Sequence, residues 1–529
     1  MKYVVNTEQM KRCDEATATH FHVGSAVLME RAALAVADVI RKHSTPLQQL
    51  FSAGLWGSGE APRRGVLVLC GGGNNGGDGL AIARLLHQEG IETAFSLLVH
   101  PKERTLAHEQ LLAARAYKVP EIPAEEVLRS ASRFDMIVDA VFGTGLSRPV
   151  EGEIAEILST LSADRYATRI AVDMPSGISA DTGEVLGTAF KAHITVTFGF
   201  TKIGQLLYPG ADYCGEILCA PIGILPEAFL GDLPEIRSIT EEDLHLLPER
   251  REDSHKGTFG KVLLVAGSPD MNGAAYFSGL AAYRTGAGLV QICTPAANRE
   301  SLQKLLPEAV LSTYGEEGPD DAQLRPMICQ ASTIVMGPGL SLSEQARKLV
   351  GDVIRIWLEE KAGPLLLDGD ALTILSQDPE LTELLSSRKH PDLILTPHMK
   401  EMSRLTGHPV SELKNNRFAY AGSLAKRLDA ILVMKDSRTL TQLPDGSGFL
   451  NDSGCSALAT AGSGDVLTGV IAGLISTGSA PSLAAPMGVW IHGKCGEAAA
   501  ADEGEAAVLA SELPEYIHNV MIPGAQAKM

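Results

Sequence analysis

The sequence lacks the cysteine pattern of a disulfide-stabilised or zinc-binding protein. Its 529 residues include eight cysteines, which are scattered along the chain. They form no CxxC pair, and no group of cysteines and histidines has the spacing of a zinc site. This pattern predicts reduced thiols in a cytoplasmic protein.

Long apolar runs and an excess of positive charge are also missing. The chain is charged from Lys2 onward and has no apolar core of a signal peptide. The longest candidate for a membrane span, residues 457–475, is interrupted by Asp465 and several glycines. The net charge of −19 argues against a nucleic acid or an anionic membrane as partner. The composition, 45% hydrophobic and 21% charged, is that of a globular protein.

The length predicts at least two domains, each with its own core. Strand-like and helix-like segments alternate in two long series, which predicts the α/β class with mostly parallel sheets covered on both faces. Residues 225–256 separate the two series, since this stretch contains several prolines and the charged run 248–255.

The chain ends and connections give weaker signals. Residues 1–45 are predicted to form two helices, the first capped by Thr7 and the second by Ser25. The predicted buried face of the second helix comprises Val27, Leu28, Leu34, Ala35 and Val39. A Gly/Ser/Pro-rich connector spans 52–64, and the tail after Pro523 is expected to fray. Residues 441–449 are expected to form a hairpin around Asp445-Gly446.

A glycine-rich stretch, 70–79, lies between a predicted strand and a predicted helix. Such a turn directs free backbone N–H groups and the positive end of the helix dipole at an anion, and a phosphate is the expected anion. It matches the dinucleotide-binding fingerprint, but Val99-His100 stands where that motif expects an acid. A turn that only packs a helix on the sheet is the alternative. Asn74, Asn75 and Asp78 favour a binding role, because a packing turn needs no such polar groups.

Two further loops leave strand ends in the first half, 143–149 and 173–177. In a parallel sheet the carboxyl ends of the strands meet, so these loops should converge with the glycine-rich stretch. Asn75, Asp139 and Ser176 could then surround a hard monovalent cation, which prefers oxygen ligands. A solvated acid or a helix cap is the alternative for Asp139.

The second half carries a glycine-acid turn, Ala461-Gly-Ser-Gly-Asp465, at the start of a predicted helix. It offers backbone N–H donors and one carboxylate, as in an oxyanion site with a general base. An ordinary glycine turn with an acid in the first helical turn is the alternative. Residues 435–439 could hold phosphate and hydroxyl groups or form an exposed polar loop. His398 alone is more typical of a structural histidine than of a catalytic one.

Taken together, these motifs resemble those of the NAD(P)HX repair enzymes over nearly the whole chain. Residues 1–225 resemble the epimerase domain through Asn74-Asn-Gly-Gly-Asp78, Val138-Asp-Ala-Val-Phe-Gly-Thr-Gly145 and Val172-Asp-Met-Pro-Ser-Gly177. Residues 236–520 resemble the dehydratase domain, and 226–255 form the linker. The matching stretches there are 256–261, 265–268, 337–340, 367–370, 396–401 and 461–465.

The resemblance implies two three-layer αβα domains, the N-terminal one Rossmann-like and the C-terminal one ribokinase-like. It implies that the first domain interconverts the R and S forms of hydrated NADH and NADPH. The second domain would dehydrate the S form at the expense of ADP, giving AMP and phosphate. Potassium is expected in the epimerase domain and Mg²⁺ in the dehydratase domain.

The resemblance also assigns site residues. The hydrate would be bound in the epimerase domain by Asn74, Asn75, Gly76, Gly77, Asp78, Gly143, Thr144, Gly145, Leu146, Ser147, Arg148, Pro149 and Asp173. Potassium would be held by Asn75, Asp139 and Ser176. In the dehydratase domain the hydrate would contact Ala274, Gly339, His398 and Asp465, and ADP would contact Lys435, Asp436, Ser437, Arg438, Thr439 and Gly464. Asp465 and Asp173 are the expected catalytic residues.

Two alternatives stay open at the level of the sequence. One is a small-molecule kinase of the ribokinase-like class fused to a nucleotide-binding domain, and the other is a non-catalytic nucleotide sensor. The expected partners are the small molecules NADHX, NADPHX and ADP, with no nucleic acid and no membrane. A homo-oligomer is expected.

Overall fold

The computed structural model describes residues 1–52, 63–387 and 392–522, with side chains over the same ranges apart from 44–52. Most of the predicted connector 52–64 and the tail after Pro523 therefore lie outside the described residues. The chain forms two compact units, one spanning Tyr3–Pro234 and the other comprising Met1–Lys2 and Glu235–Met529.

The N-terminal unit is built on a parallel sheet. Its strands are β1 (Lys2–Val5), β2 (Val66–Cys70), β3 (Thr93–Leu97), β4 (Met136–Ala140), β5 (Thr168–Val172), β6 (Ile194–Phe198), β7 (Thr201–Lys202) and β8 (Glu216–Ala220). Its helices are α1 (Thr7–Thr19), α2 (Ser25–Ser52), α3 (Asn74–Gln88), α4 (Leu106–Ala116), α5 (Val127–Ser130), α6 (Gly152–Ser162), α7 (Ile203–Leu206) and α8 (Gly210–Cys214). Six strands pair in the parallel order β3-β2-β4-β5-β6-β8, and β1 pairs with β7.

Both faces of this sheet are buried. Alternate residues of β2 enter different cores, with Val68 among residues of α1, α2 and α3 and Leu69 among residues of α5 and α6. This arrangement follows from the two-residue repeat of a strand. The predicted three-layer αβα architecture is confirmed for this unit.

The first two helices are present, but two details predicted for them are wrong. Asn6, not Thr7, caps α1, because the Asn6 side chain accepts from Gln9 N at 2.8 Å. Val27 and Leu34 are exposed, at 52% and 41%. The buried face of α2 is one residue out of phase and consists of Leu28, Met29, Ala32, Ala33, Val36, Ala37 and Ile40. Strand β1, which precedes both helices, was not predicted.

The C-terminal unit has a larger sheet. Its strands are β9 (Ile236–Ser238), β10 (Lys261–Val265), β11 (Leu289–Pro295), β12 (Val310–Tyr314), β13 (Thr333–Met336), β14 (Leu365–Leu367), β15 (Leu393–Leu395), β16 (Ala430–Met434), β17 (Leu440–Gln442) and β18 (Gly448–Leu450). Its helices are α9 (Asn272–Thr285), α10 (Arg299–Leu305), α11 (Asp321–Gln330), α12 (Glu344–Glu360), α13 (Asp370–Gln377), α14 (Pro379–Ser386), α15 (Met399–Thr406), α16 (Val410–Asn415), α17 (Arg417–Leu428), α18 (Ser463–Ser476), α19 (Pro481–Glu503) and α20 (Leu513–Met521).

The pairing in this sheet changes from parallel to antiparallel towards one edge. The order β12-β11-β10-β13-β14-β15-β16 is parallel, and β17 and β18 continue it as an antiparallel hairpin, followed by β9. The predicted hairpin is therefore confirmed. Leu264 enters a core with α9, α18 and α19, and Leu263 enters a core with α12 and α17 on the other face. The three-layer αβα prediction is confirmed for this unit as well.

Candidate active sites

A cavity of about 770 Å³ lies at the carboxyl ends of the strands in the N-terminal unit. The predicted convergence of the loops 70–79, 143–149 and 173–177 is seen here. Of the residues assigned to the hydrate, those in the cavity wall are Asn74, Asn75, Asp78, Gly143, Thr144, Gly145, Leu146, Ser147, Arg148 and Asp173. Gly76, Gly77 and Pro149 do not belong to the wall.

The glycines of the first turn serve close backbone packing. A Cβ on Gly76 would lie 1.8 Å from Gly71 O, and one on Gly71 would lie 1.9 Å from Val141 O. Gly73 precedes α3 without a side-chain cap and has open space around it. Since the first backbone N–H groups of a helix lack partners within it, the start of α3 presents donors at the cavity wall.

Asp139 and Ser176 are buried beside each other outside the cavity wall, and Asn75 belongs to the wall. The Asp139 carboxylate accepts from Ser176 N at 2.7 Å and from Ser176 Oγ at 2.6 Å. Burial raises the pKa of Asp139 to about 6, and these hydrogen bonds oppose the rise. Within the described chain, the buried Oδ1 and Nδ2 of Asn75 have no hydrogen-bond partner. The side chain of Asn75 lies under Gly143, which belongs to the loop after β4.

Asp173 follows β5 with a φ of +65°, a conformation that few non-glycine residues adopt. Its backbone is held by Gln205, whose Nε2 donates to Asp173 O at 2.7 Å. Its carboxylate accepts from Lys202 Nζ at 2.5 Å. Lys202 is only 1% exposed and also donates to Thr197 Oγ1 and Phe198 O. Asp173 is thus a fixed carboxylate at the cavity wall.

Sequence reasoning missed four charged residues of this wall, Lys11, Asp14, Lys102 and Lys202. Asp14 lies on α1, where an acid among other polar residues is typical of a solvated face. Its side chain is open to the cavity, yet desolvation by the cavity walls and the charge of Asp173 raise its pKa to about 6 against the opposing effect of Lys202. Burial also raises the pKa of Asp78, which is 8% exposed. No local signal marks Asp14 or Lys202 as site residues.

A second cavity, of about 420 Å³, lies in the C-terminal unit near the ends of β13 and β14 and the start of α18. Ala274, Gly339 and Asp465, which the resemblance assigns to the hydrate, line it. Gly462 adopts a φ of +91° before α18, and a Cβ there would lie 2.6 Å from the ring of Phe277. This glycine lets the chain turn into the helix with its first N–H groups at the cavity.

Asp465 lies in the first turn of α18. Burial and the charges of Asp368 and Asp370 raise the pKa of Asp465 to about 7, against the opposing effect of Lys435. One residue before Gly464, Ser463 Oγ lies 3.1 Å from Nε2 of the buried His492. Burial lowers the pKa of His492 to about 4, so the ring is neutral near pH 7. An acid with a pKa near neutrality is suited to act as a general base.

Lys435 follows β16 and, like Gly464, lies outside the wall of this cavity. Its Nζ donates to Asp368 at 2.6 Å and lies 3.3 Å from where a Cβ of Gly464 would stand. Asp436, Ser437, Arg438 and Thr439 continue the loop outside the cavity wall, where Arg438 donates to Asp452 O at 2.8 Å. Asp368, missed by the sequence analysis, also accepts from Thr396 Oγ1 at 2.7 Å and Thr468 Oγ1 at 3.1 Å.

His398 does not belong to the cavity wall, whereas Glu401 does. His398 caps α15, with Nδ1 accepting from Lys400 N at 3.1 Å and Glu401 N at 3.2 Å. Burial raises the pKa of Glu401 to about 7, and Lys435 opposes the rise. The structure therefore gives His398 a structural contact, and Glu401 is a cavity acid that the sequence analysis missed.

Over the part of the chain that the structure describes, no cluster of three His, Cys, Asp or Glu residues could hold a metal ion. The described helices also include none that is long and apolar enough to cross a membrane.

Comparisons with known proteins cover both units. A family model described as NAD(P)H-hydrate dehydratase matches residues 262–519, and one described as YjeF-related protein N-terminus matches residues 25–204. Bifunctional NAD(P)H-hydrate repair enzymes of Moorella thermoacetica and Thermofilum pendens are 33% and 36% identical. The alignment with the Moorella enzyme covers 98% of this chain and 96% of that enzyme. The alignment with the Thermofilum enzyme covers 97% of this chain and 95% of that enzyme.

Solved structures similar to this chain cover about half of it. One is a ribokinase-like superfamily protein from Enterococcus faecalis, with 28% identity and a TM-score of 0.48 over 54% of this chain and 95% of that chain. Another is an ADP/ATP-dependent NAD(P)H-hydrate dehydratase from Bacillus subtilis, with 34% identity and a TM-score of 0.45 over 53% of this chain and 96% of that chain.

Proposed function

The chain belongs to the family of bifunctional NAD(P)H-hydrate repair enzymes, and on this premise we propose where each activity resides. The epimerase domain comprises residues 1–225 and interconverts the R and S hydrates. The domain of residues 236–520 dehydrates the S hydrate, and 226–255 form the linker. The observation that carries this assignment is the presence in each unit of a cavity lined by charged side chains, at strand ends and beside a glycine-rich helix start.

The alternative of a small-molecule kinase is set aside. Such a kinase gives no reason for the match of the first unit to a second family model, or for relatives that align over 98% of the chain. A sensor without activity is set aside on the same grounds, since the relatives are enzymes by name.

In the epimerase cavity, we assign the hydrate to the residues that line it from the loops 74–78, 143–149 and 173. The backbone donors at the start of α3 suit a phosphate of the dinucleotide. Lys102 and Arg148 line the same cavity and supply local positive charge in a strongly acidic chain. Asp173 is proposed as a catalytic residue, because its carboxylate is fixed at the wall by Lys202.

Potassium is proposed at Asn75, Asp139 and Ser176. The residues fit a hard monovalent cation, since Asn75 has a buried and unpartnered carboxamide oxygen and Asp139 supplies a buried carboxylate. A cation there would favour the ionised form of Asp139 and fix the loops after β2, β4 and β5 to one another. Its contribution would be to shape the hydrate site.

In the dehydratase cavity, Asp465 is proposed as the general base. It would take the proton of the C6 hydroxyl, whose oxygen attacks the β-phosphorus of ADP while the bond to the AMP oxygen breaks. The N–H groups at 462–465 would stabilise the negative charge that develops. Phosphate then leaves from C6, helped by the ring nitrogen lone pair, and loss of a ring proton gives NAD(P)H. Ala274 and Gly339 would pack against the hydrate, and His398 would orient Glu401 from outside the wall.

ADP is proposed to bind along residues 435–439 and Gly464. Lys435 suits a phosphate contact, because its ammonium lies next to Gly464 and is oriented by Asp368. The acids near this site form no dedicated cage for Mg²⁺ among the described residues. Mg²⁺ would therefore have to be held largely by the nucleotide phosphates, whose charge it would neutralise.

The experiment that tests this function supplies a mixture of R and S hydrate with Mg²⁺ and either ADP or ATP. We expect full recovery of the absorbance band of reduced nicotinamide with ADP, and formation of AMP. Recovery of only the S fraction would contradict the epimerase assignment. Turnover with ATP alone, with ADP inert, would contradict the assignment of ADP.

The eight free thiols support a reducing compartment such as the cytoplasm.

A further inference from the structure

Among the charged side chains that line the N-terminal cavity, Asp14, Asp78, Asp173 and Lys202 lie close enough to influence one another's protonation. Lys202 has all three of its N–H donors engaged, by Asp173, Thr197 and Phe198. It is therefore a fixed positive charge that has no donor to spare for a substrate. Asp173, ion-paired with it, is correspondingly a fixed negative charge.

Asp14 differs from Asp173 in being unengaged. Within the described residues its carboxyl group makes no hydrogen bond or ion pair, and its side chain is open to the cavity. Asp78 is also without such a partner there but is buried, so a substrate reaches it less easily. Asp14 is thus the carboxyl group of this cavity that can turn towards a bound ring and exchange a proton with it.

Desolvation and the charges that face Asp14 determine its protonation. Asp78 and Asp173 come from α3 and the end of β5, Lys202 comes from β7, Lys11 and Glu15 lie on α1 itself, and Lys102 and Arg148 line the same cavity from the loops after β3 and β4. Lys202 favours the ionised form of Asp14, whereas desolvation and the carboxylates of Asp173 and Glu15 favour the protonated form. Neighbouring carboxyl groups of this kind hold a proton up to higher pH than isolated ones. The pKa of Asp14, raised to about 6, agrees with this geometry.

We propose that Asp14 is a catalytic residue of epimerisation, which donates a proton to the C6 hydroxyl of the hydrate and recovers it when water returns. This inference rests on the proposed epimerase function of the cavity. The C6–O bond breaks as the hydroxyl takes the proton and leaves as water, while the ring nitrogen lone pair forms a double bond to C6. Water then adds to the opposite face of C6, the nitrogen regains its lone pair, and the surplus proton returns to Asp14.

The proposal gives Asp173 and Lys202 distinct roles in the same step. The ring becomes cationic when water leaves, and the fixed carboxylate of Asp173 stabilises that charge. Lys202 is a positioning residue, because it holds Asp173 and makes no contact with the ring. The proton count is unchanged over one turnover, as an epimerisation requires.

The test compares the full-length wild type with Asp14→Asn and with Glu8→Gln, an exposed acid on α1 outside the cavity wall. Conversion of R to S hydrate is followed by chromatography, and ADP-dependent dehydration of S hydrate is measured in the same preparations. We expect Asp14→Asn to lower kcat for epimerisation about 10²-fold or more with little change in KM. Glu8→Gln should match the wild type, and dehydration should be unchanged in both variants.

The pH profile separates proton transfer from a structural role. Wild-type epimerisation should slow as pH rises and Asp14 loses its proton, and Asp14→Asn should lack that fall. Asp14→Glu should recover part of the rate together with the fall. Unfolding midpoints check that each variant folds, and Asp14→Ser replaces Asp14→Asn if the latter does not.

Three results would have different consequences. A wild-type rate and pH profile in Asp14→Asn, with Asp173→Asn inactive, would overturn the role of Asp14 and leave the epimerase assignment intact. A rise in KM with an unchanged kcat and pH profile would also overturn it, since that is a binding role. Failure of the wild type itself to accelerate epimerisation would overturn the proposed function.

Discussion

Asp465 carries the dehydratase proposal at the scale of a single residue. A general base must be ionised to accept a proton, and the pKa of Asp465 is raised to about 7. Near neutral pH a substantial fraction of the enzyme therefore holds a protonated, inactive Asp465. The same residue in water would be ionised from about pH 5 upwards.

We predict that the rate of dehydration rises as pH increases through about 7 and levels off above it. The measurement is the pH profile of kcat/KM at saturating ADP, with S hydrate as substrate. A profile that is flat from about pH 5 to about pH 8 would contradict Asp465 as the base.

His492 gives a second prediction at this scale, which concerns stability. Its pKa is lowered to about 4, below the value of 6.5 expected for an exposed histidine. The unfolded chain thus binds a proton there at pH values where the folded chain does not. The stability that neutral His492 contributes is present above pH 6.5 and is lost as pH falls towards 4.

We predict that the free energy of unfolding of the C-terminal unit falls by up to about 3 kcal/mol over that window through this group alone. His492→Gln should show a correspondingly smaller fall. Urea unfolding at a series of pH values, followed by tryptophan fluorescence, measures the difference. Equal pH dependence in the variant and the wild type would show that the pKa of His492 is the same in the folded and unfolded chains.

At the scale of an element, the turn from β2 into α3 contains two glycines that look alike in the sequence but differ in their surroundings. Gly76 packs against the backbone of Gly71, whereas a Cβ added to Gly73 would have no other atom within 4 Å. Because a clash with backbone cannot be relieved by a rotamer change, only Gly76 is required by packing.

We predict that Gly76→Ala costs about 1–3 kcal/mol in the N-terminal unit and shifts the start of α3, with loss of epimerase activity. Gly73→Ala is the matched control for stability, expected within about 0.5 kcal/mol of the wild type. Thermal unfolding and the epimerase assay measure both effects. Equal stability of the two variants would show that the turn can relax around Gly76.

The same scale shows how far sequence reasoning reaches. The loops that carry Asn75, Asp139 and Ser176 could be predicted to converge, because each lies near the carboxyl end of a parallel strand. The buried face of α2 could not be predicted correctly, because alanines form much of it. A pattern weighted by large side chains favours Val27 and Leu34 instead. Strands β11 and β12 were missed, since Gln291, Thr294 and Ser312 interrupt their apolar character.

At the scale of the whole molecule, the limit of sequence reasoning is long-range packing. Asp14 comes from α1 and Lys202 from β7, and only the folded unit brings them to the wall that Asp173 also lines. Asp368, which follows β14, reaches Lys435, which follows β16, past the strand β15 that lies between them. The loops that carry the glycine and acid motifs were predicted. The charged residues that set the protonation of the acids in these loops were not.

The central claim at this scale is that the two activities have separate sites, and one crossed measurement tests it. Epimerisation and ADP-dependent dehydration are both measured on Asp465→Asn and on Asp173→Asn in the full-length protein. Asp465→Asn should lower dehydration about 10²–10⁴-fold and still equilibrate R and S hydrate. Asp173→Asn should still dehydrate S hydrate and consume R hydrate only at its spontaneous rate of epimerisation. Loss of both activities in either folded variant, or dehydration by Asp465→Asn at the wild-type rate, would contradict the account.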